Sequence, residues 1–251
     1  MHLWFVCCAL VVASAQEPSL IDKIKARAGE NLRRLPNYTC VETIERFTQR
    51  GRFGNYRHKD TLHLDVVYVG GEELFGLSGK GGVEHSDLKK MIGGTIENGQ
   101  FALFLRSIFL SGVATFTPVA DANLKGHPSH SFDYIVPQAR SAFHIGSRFG
   151  QAIVGYSGRF WVDPDTLDLM RLVVSADNVP PAIRISSDVT AIDYGQVQIA
   201  DKPFLLPVRS VYEVTDGFAY NARNLTTFEH CHQYIGESVL KLDPEPAPPP
   251  K

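Results

Sequence analysis

The chain has 251 residues, 44% of them hydrophobic and 21% charged, and a formal net charge of −2 at pH 7. Acidic and basic residues are interspersed without a basic stripe or a Lys/Arg cluster, which speaks against a nucleic-acid partner and gives no sign of an anionic membrane surface. No internal repeat is visible, and the length fits one large β-rich domain better than two small ones.

The N-terminus reads as a targeting segment. Leu3 to Val12 is an uncharged apolar run, and Ala13-Ser14-Ala15 has the small-x-small form of a signal-peptidase site, so residues 1–15 are expected to leave as a signal peptide. The run is too short to span a bilayer, and neither Cys7 nor Cys8 follows a lipobox-like sequence, so no stable membrane anchor is expected. Residues 16–242 then form a single domain in the periplasm or outside the cell, and 243–251, with five prolines, a disordered tail. Two cysteines, Cys40 and Cys231, remain near opposite ends of the mature chain. In an oxidising compartment they suggest one disulfide, which places the first and last strands side by side; two separate buried thiols are the alternative. Such a bridge closes a loop of about 190 residues, for which chain entropy assigns roughly 5 kcal/mol at most.

Ser19 can cap a helix whose apolar positions Leu20, Ile21, Ile24, Ala28, Leu32 and Leu35 follow helical spacing until Pro36 ends it. Strands follow. Tyr38 to Gln49 alternates imperfectly; Leu62, Leu64, Val66 and Tyr68 alternate cleanly up to Gly70-Gly71, and Glu72 to Leu77 returns. Ser78 to Gly94, rich in Gly, Lys and Ser, reads as a loop. Asn98 opens a second helix through Phe101, Leu103, Phe104, Leu105, Ile108, Phe109 and Leu110, so apolar that it must be buried on most sides. The remaining strands are expected at Val113–Ala120, Ser131–Val136, Ser141–Ile145, Ile153–Val162, Leu167–Ala176, Arg184–Tyr194, Phe204–Val214 and Ala219–Tyr234.

This pattern predicts a mainly β (α+β) fold. A curved antiparallel sheet, or an incomplete β-barrel meander of about ten strands, has its concave face covered by the N-terminal helix and the buried apolar helix. Between sheet and helix lies either a filled core or a cavity, lined by Leu62, Leu64 and Val66 from the sheet and by Phe101, Phe104, Leu105 and Ile108 from the helix.

The stretch Gly158 to Leu172 anchors the topology. It reads as a strand, a tight turn at Asp163-Pro164 and a returning strand, with Phe160, Val162, Met170, Leu172 and Val174 on one face. Phe160-Trp161-Val162-Asp163-Pro164-Asp165-Thr166 followed by Leu169-Met170-Arg171-Leu172 resembles the strand-turn-strand signature of the bacterial outer-membrane lipoprotein carrier superfamily, the Lol-type proteins. The chain is also similar to a family of uncharacterised bacterial secreted proteins at Leu35–Cys40, Asp177–Pro181 and Phe204–Pro207. The carrier resemblance implies a curved, incomplete barrel that shields acyl chains under a helical lid.

Motifs with sharper chemistry are few. His230 and His232 flank Cys231 at a spacing that shares a strand face, with His63 or His144 as a possible third ligand; exposed polar positions explain them equally. The paired carboxylates Glu72/Glu73, Asp163/Asp165 and Asp165/Asp168 fall at turns, where solvated acceptors suffice. Gly155-Tyr156-Ser157-Gly158 is one residue short of a nucleophile elbow. The expectation is a non-enzymatic protein without cofactor or metal that binds a lipid or lipoprotein acyl chain. The alternatives are an envelope module with a filled core that binds a protein partner, and a metal-dependent hydrolase using histidines.

Overall fold

The computed structural model describes residues 18–51, 54–77, 101–216 and 220–234. The expected signal peptide, the 78–94 loop, Asn98 and the 243–251 tail lie outside these residues. Helix α1 (Leu20–Arg34) starts where Ser19, in extended conformation, accepts from the Asp22 amide, and turns Ile24 and Ala28 inward. Strands β1 (Tyr38–Arg50), β2 (Arg57–Val69) and β3 (Glu72–Leu77) follow, then helix α2 (Phe101–Leu110). The rest of the chain forms β4 (Thr115–Leu124), β5 (His127–Val136), β6 (His144–Ser147), β7 (Gly150–Ile153), β8 (Gly155–Val162), β9 (Leu169–Asp177), β10 (Ile185–Ile199), β11 (Lys202–Asp216) and β12 (Tyr220–Gln233).

Ten strands make one curved, unclosed antiparallel sheet in the order β3-β2-β1-β12-β11-β10-β9-β8-β5-β4. Both edges, β3 and β4, flank the segment that carries α2, so the helix belongs to the connection between the two ends of the sheet. The first and last strands pair inside the sheet, as its third and fourth members, and Cys40 and Cys231 are bonded across that seam, as the cysteine count suggests. The two remaining strands, β6 and β7, form a separate hairpin.

Three expectations need correcting. The single strand expected over Ile153–Val162 is divided at Val154, where β7 leaves for the separate hairpin and β8 stays in the sheet; the strand expected at Ser141–Ile145 begins at His144 and pairs with β7 instead. In the Asp163 hairpin a bulge after Trp161 sets Val162 opposite Leu169, so Leu169 is buried and Met170 turns away from the core face. The strands expected at Arg184–Tyr194 and Phe204–Val214 are longer: β10 and β11 run on to a two-residue turn in which Ala200 has φ +52°.

Registers across the sheet line up one row of inward side chains: Leu62, Ile44, Thr226, Ser210, Ile192, Leu172, Phe160 and Phe132. A neighbouring row runs Asp60, Arg46, Asn224, Tyr212, Thr190, Val174. In the first row apolar Leu62 and Ile44 give way to polar Thr226 and Ser210 and then to Ile192, Leu172 and the rings of Phe160 and Phe132. The second is polar from Asp60 to Thr190 and turns apolar at Val174.

Candidate functional site

The apolar half of the concave face is where α2 sits. Phe160 is the centre of an aromatic set: Phe132 stacks on it at 5.4 Å, and Phe116 and Phe109 meet it edge-on at 6.0 and 5.0 Å. Phe104, from the preceding turn of α2, lies 5.9 Å from the Tyr156 ring and 5.7 Å from Phe143. Leu105, Ile108, Ile24 and Ala28 complete this cluster. Gly29 lets the two helices approach closely, since a Cβ there would lie 3.2 Å from Leu110 Cδ2.

Helix α2 is irregular. It is α-helical over Phe101–Leu105 and widens to a π turn over Arg106–Leu110, closed by the Ser111 amide donating to the Arg106 carbonyl at 2.9 Å. Two polar side chains tie it to the sheet. The Ser107 hydroxyl hydrogen-bonds to that of Tyr156, and Arg106 Nη2 donates to the Tyr68 hydroxyl at 3.2 Å. The guanidinium lies against the β2–β3 turn, where Gly71, at φ +92°, leaves the room: a Cβ there would come within 2.7 Å of Nη2. Burial holds the Tyr156 hydroxyl above its ordinary value of 10 and that of Tyr134 well above it, so both stay protonated donors.

The hollows beneath the helices that described residues line are small. Of two hollows lined by described residues, one of about 20 Å³ lies among Leu32, Leu35, Tyr38, Tyr68, Leu105 and Leu206. The other, of about 10 Å³, is bounded by Ile24, Ala28, Phe109, Val162 and Leu169. Neither exceeds the room of a water molecule or so.

The expected lining residues divide into two groups. Phe104, Leu105 and Ile108 belong to the aromatic cluster. Leu64 and Val66, with Leu62 at their margin, pack instead with Ile44, Phe75 and Phe228. Phe101 opens α2, and its side chain is outside the described set. Around Tyr38, Cys40 and Tyr68 a third apolar cluster, with Phe204 and Leu206, stands near the disulfide.

Between these clusters the concave face is polar yet buried. Glu42, Arg46, Thr190, Ser210, Asn224, Thr226 and Asp188 are all inside. Arg46 pairs with Asp60 on β2 (Nε to Oδ1, 2.6 Å), which holds that carboxyl below its ordinary range. Asp188 accepts from the Tyr212 hydroxyl at 2.6 Å, and burial pushes its own carboxyl up to about 6.

Of the carboxylates expected as solvated turn acceptors, Asp163 and Asp168 take different roles. Asp163 is a turn acceptor, taking the Asp165 and Thr166 amides at 3.0 and 2.8 Å. Asp168 is not a solvated one: only 8% exposed, it accepts from Arg27 Nε and Asn31 Nδ2 on α1, both at 2.8 Å, and from Gln196 Nε2 on β10 at 3.1 Å. That carboxylate pins α1 across the end of the sheet. The histidines do not gather. His63 bonds to Thr43, His144 lies on β6, and a bulge opposite Cys40 breaks the β12 alternation at His230. Among the described residues no group of three His, Cys, Asp or Glu is placed to hold a metal.

Comparison with known proteins gives no matching family model and no matching curated sequence. Solved structures do match. The architecture is similar to that of LolA-superfamily proteins. A LolA superfamily protein from Nitrosomonas europaea is 10% identical over 88% of this chain and 96% of its own, with a TM-score of 0.46. A domain named for outer-membrane lipoprotein sorting, from Vibrio parahaemolyticus, is 12% identical over 87% of this chain and 95% of its own, also at 0.46. A DUF1329 family protein from Desulfovibrio piger is 11% identical over 87% and 93%, at 0.42.

Of two features of the site, one left a partial signal in the sequence and the other left none. The imperfect alternation of β1 is the trace of the polar half, since Cys40, Glu42, Ile44 and Arg46 share one face. The Asp168 cluster had none, because its partners come from 141, 137 and 28 residues away.

Proposed function

We propose that this protein is a non-enzymatic carrier that holds an apolar chain, such as a lipid or lipoprotein acyl group, between α2 and the aromatic half of the sheet. The observation that supports this reading best is α2 itself. It buries Phe104, Leu105, Ile108 and Phe109 against the concave face of an unclosed sheet while leaving Leu103 and Leu110 50% and 46% exposed. A helix apolar on both sides occupies the place a greasy ligand would take. Its π turn makes displacement cheaper than for a regular α-helix, and the Ser107 and Arg106 hydrogen bonds to the sheet are what an entering ligand must break. In this reading the small hollows belong to the closed, unloaded form. The disulfide supports an oxidising compartment, in keeping with a periplasmic or secreted protein.

The test is uptake of a fluorescent fatty acid, cis-parinaric acid, by lipid-stripped protein, alongside native mass spectrometry of protein purified from its own envelope. Joining α2 to the sheet with a short bis-thiol cross-linker, dibromobimane, in the double variant Ser107→Cys, Tyr156→Cys should weaken uptake by at least about tenfold, the Tyr156 ring being too long for a direct disulfide to replace it. If the unlocked protein takes up no fatty acid, or the locked one takes up as much, the reading fails. The filled core then favours the second reading, an envelope module for a protein partner.

A further inference from the structure

We infer that the β6–β7 hairpin is a docking tip for the surface of an anionic phospholipid bilayer. The hairpin stands outside the main sheet on a small core of its own, Ile145, Val154 and Ile183, and Ser147 Oγ fastens it to the Ile183 carbonyl at 2.6 Å. It is therefore a firm projection. At its turn Phe149 fills no core and is 43% exposed, with the Arg148 guanidinium 4.7 Å and the Arg184 guanidinium 4.2 Å from its ring centre. Ile153 is 42% exposed on the outer face of β7, directly across from the exposed His144. A third guanidinium, Arg140, stands on the turn that Gln138 ties to the Ile153 carbonyl at 2.9 Å.

The segments that build this tip carry only basic charge, with Asp216 of β11 the acidic residue across from Ile185, next to Arg184. No Asp or Glu occurs between Asp133 and Asp163, nor between Asp177 and Asp188, the segments that build the hairpin and its support. The patch is absent from the sequence as a run because its arginines come from three separate turns. An aromatic ring with two guanidiniums against it, and an aliphatic neighbour, suits the boundary between headgroups and acyl chains. The forks of the arginines pair with phosphate, and the ring settles at the interface. A soluble acidic protein would satisfy the arginines and leave Phe149 and Ile153 without a use, which is why the bilayer is favoured. The inference does not rest on α2 holding a ligand, since a filled-core protein would dock in the same way.

Co-sedimentation of the mature chain with vesicles tests it, using phosphatidylcholine alone or two parts phosphatidylcholine to one part phosphatidylglycerol. Binding is expected on the anionic vesicles only, falling with salt. Arg140→Gln and Arg148→Gln should each weaken it roughly fivefold. Phe149→Trp keeps the fold and reports insertion directly: its emission should be quenched by brominated acyl chains in the anionic vesicles, whereas that of the parent, with Trp161 elsewhere in the fold, should not. Absence of binding to anionic vesicles, unchanged binding in both arginine variants, or an unquenched Phe149→Trp would overturn the inference. So would binding of a soluble polyglutamate in place of the vesicles.

Discussion

The two halves of the concave face are built from the same antiparallel rows and solve burial in opposite ways. On β4, β5, β8 and β9 the inward positions are Phe116, Phe132, Phe160, Leu172 and Val174, and helices cover them. On β1, β12, β11 and β10 the inward positions include Arg46, Asn224, Thr226, Ser210, Thr190 and Asp188, set among Ile44, Tyr212 and Ile192. The dry half gains from area removed from water and from ring packing, so its stability is concentrated in a few large side chains. The polar half gains little from area, and each group needs a partner to offset its lost hydration. Stability belongs to the first; the second carries groups whose charge state can change.

That contrast can be broken by substitution. The largest effect is expected at Phe160, which touches rings on every side: Phe160→Ala should cost about 4 kcal/mol, read from the urea midpoint. A smaller loss, about 2 kcal/mol, is expected from Asp60→Ala, which strips the bidentate partner from an Arg46 side chain only 3% exposed. The rim position of Asp60 keeps this below the cost at a fully buried pair. If Asp60→Ala cost as much as Phe160→Ala, the halves would not differ as argued.

The smallest effect should have the opposite sign. The Asp188 carboxyl sits at about 6 in the folded protein against 3.8 ordinarily, so folding favours its protonated form. Between those two values the folded state binds the extra proton, so stability falls as pH rises through the window and the penalty is complete above it. Asp188→Asn should therefore stabilise the protein by about 1–2 kcal/mol at neutral pH and by little at pH near 4, seen by comparing urea midpoints at both. Equal gains at the two pH values would show that the carboxyl is not the cause.

Much of the fold was legible from local periodicity. The apolar alternation of Leu62, Leu64 and Val66, the cap at Ser19 and the mostly apolar run of α2 each report a local preference that the tertiary structure keeps. Register was not legible. Bulges at Trp161/Val162 and opposite Cys40 move Leus and histidines by one place, and a one-place shift exchanges the faces. The grouping of the site was hidden for a different reason. Leu64 and Phe104 look alike in sequence, yet the polar positions of β1 and β12 stand between their clusters, and only strand order brings those positions there.

Because β1 lies between β2 and β12, the strand that follows α1 finds its second neighbour only when the last strand exists. Until then β1 and β11 both present unpaired edges, open to the wrong partner. The Cys40–Cys231 bond spans a separation of 191 residues, so it forms only after the most distant pairing in the sheet has been found. Oxidation of this pair is thus a completion mark: a chain that lacks β12, or has not yet placed it, keeps Cys40 as a thiol that a folding catalyst or a protease could recognise.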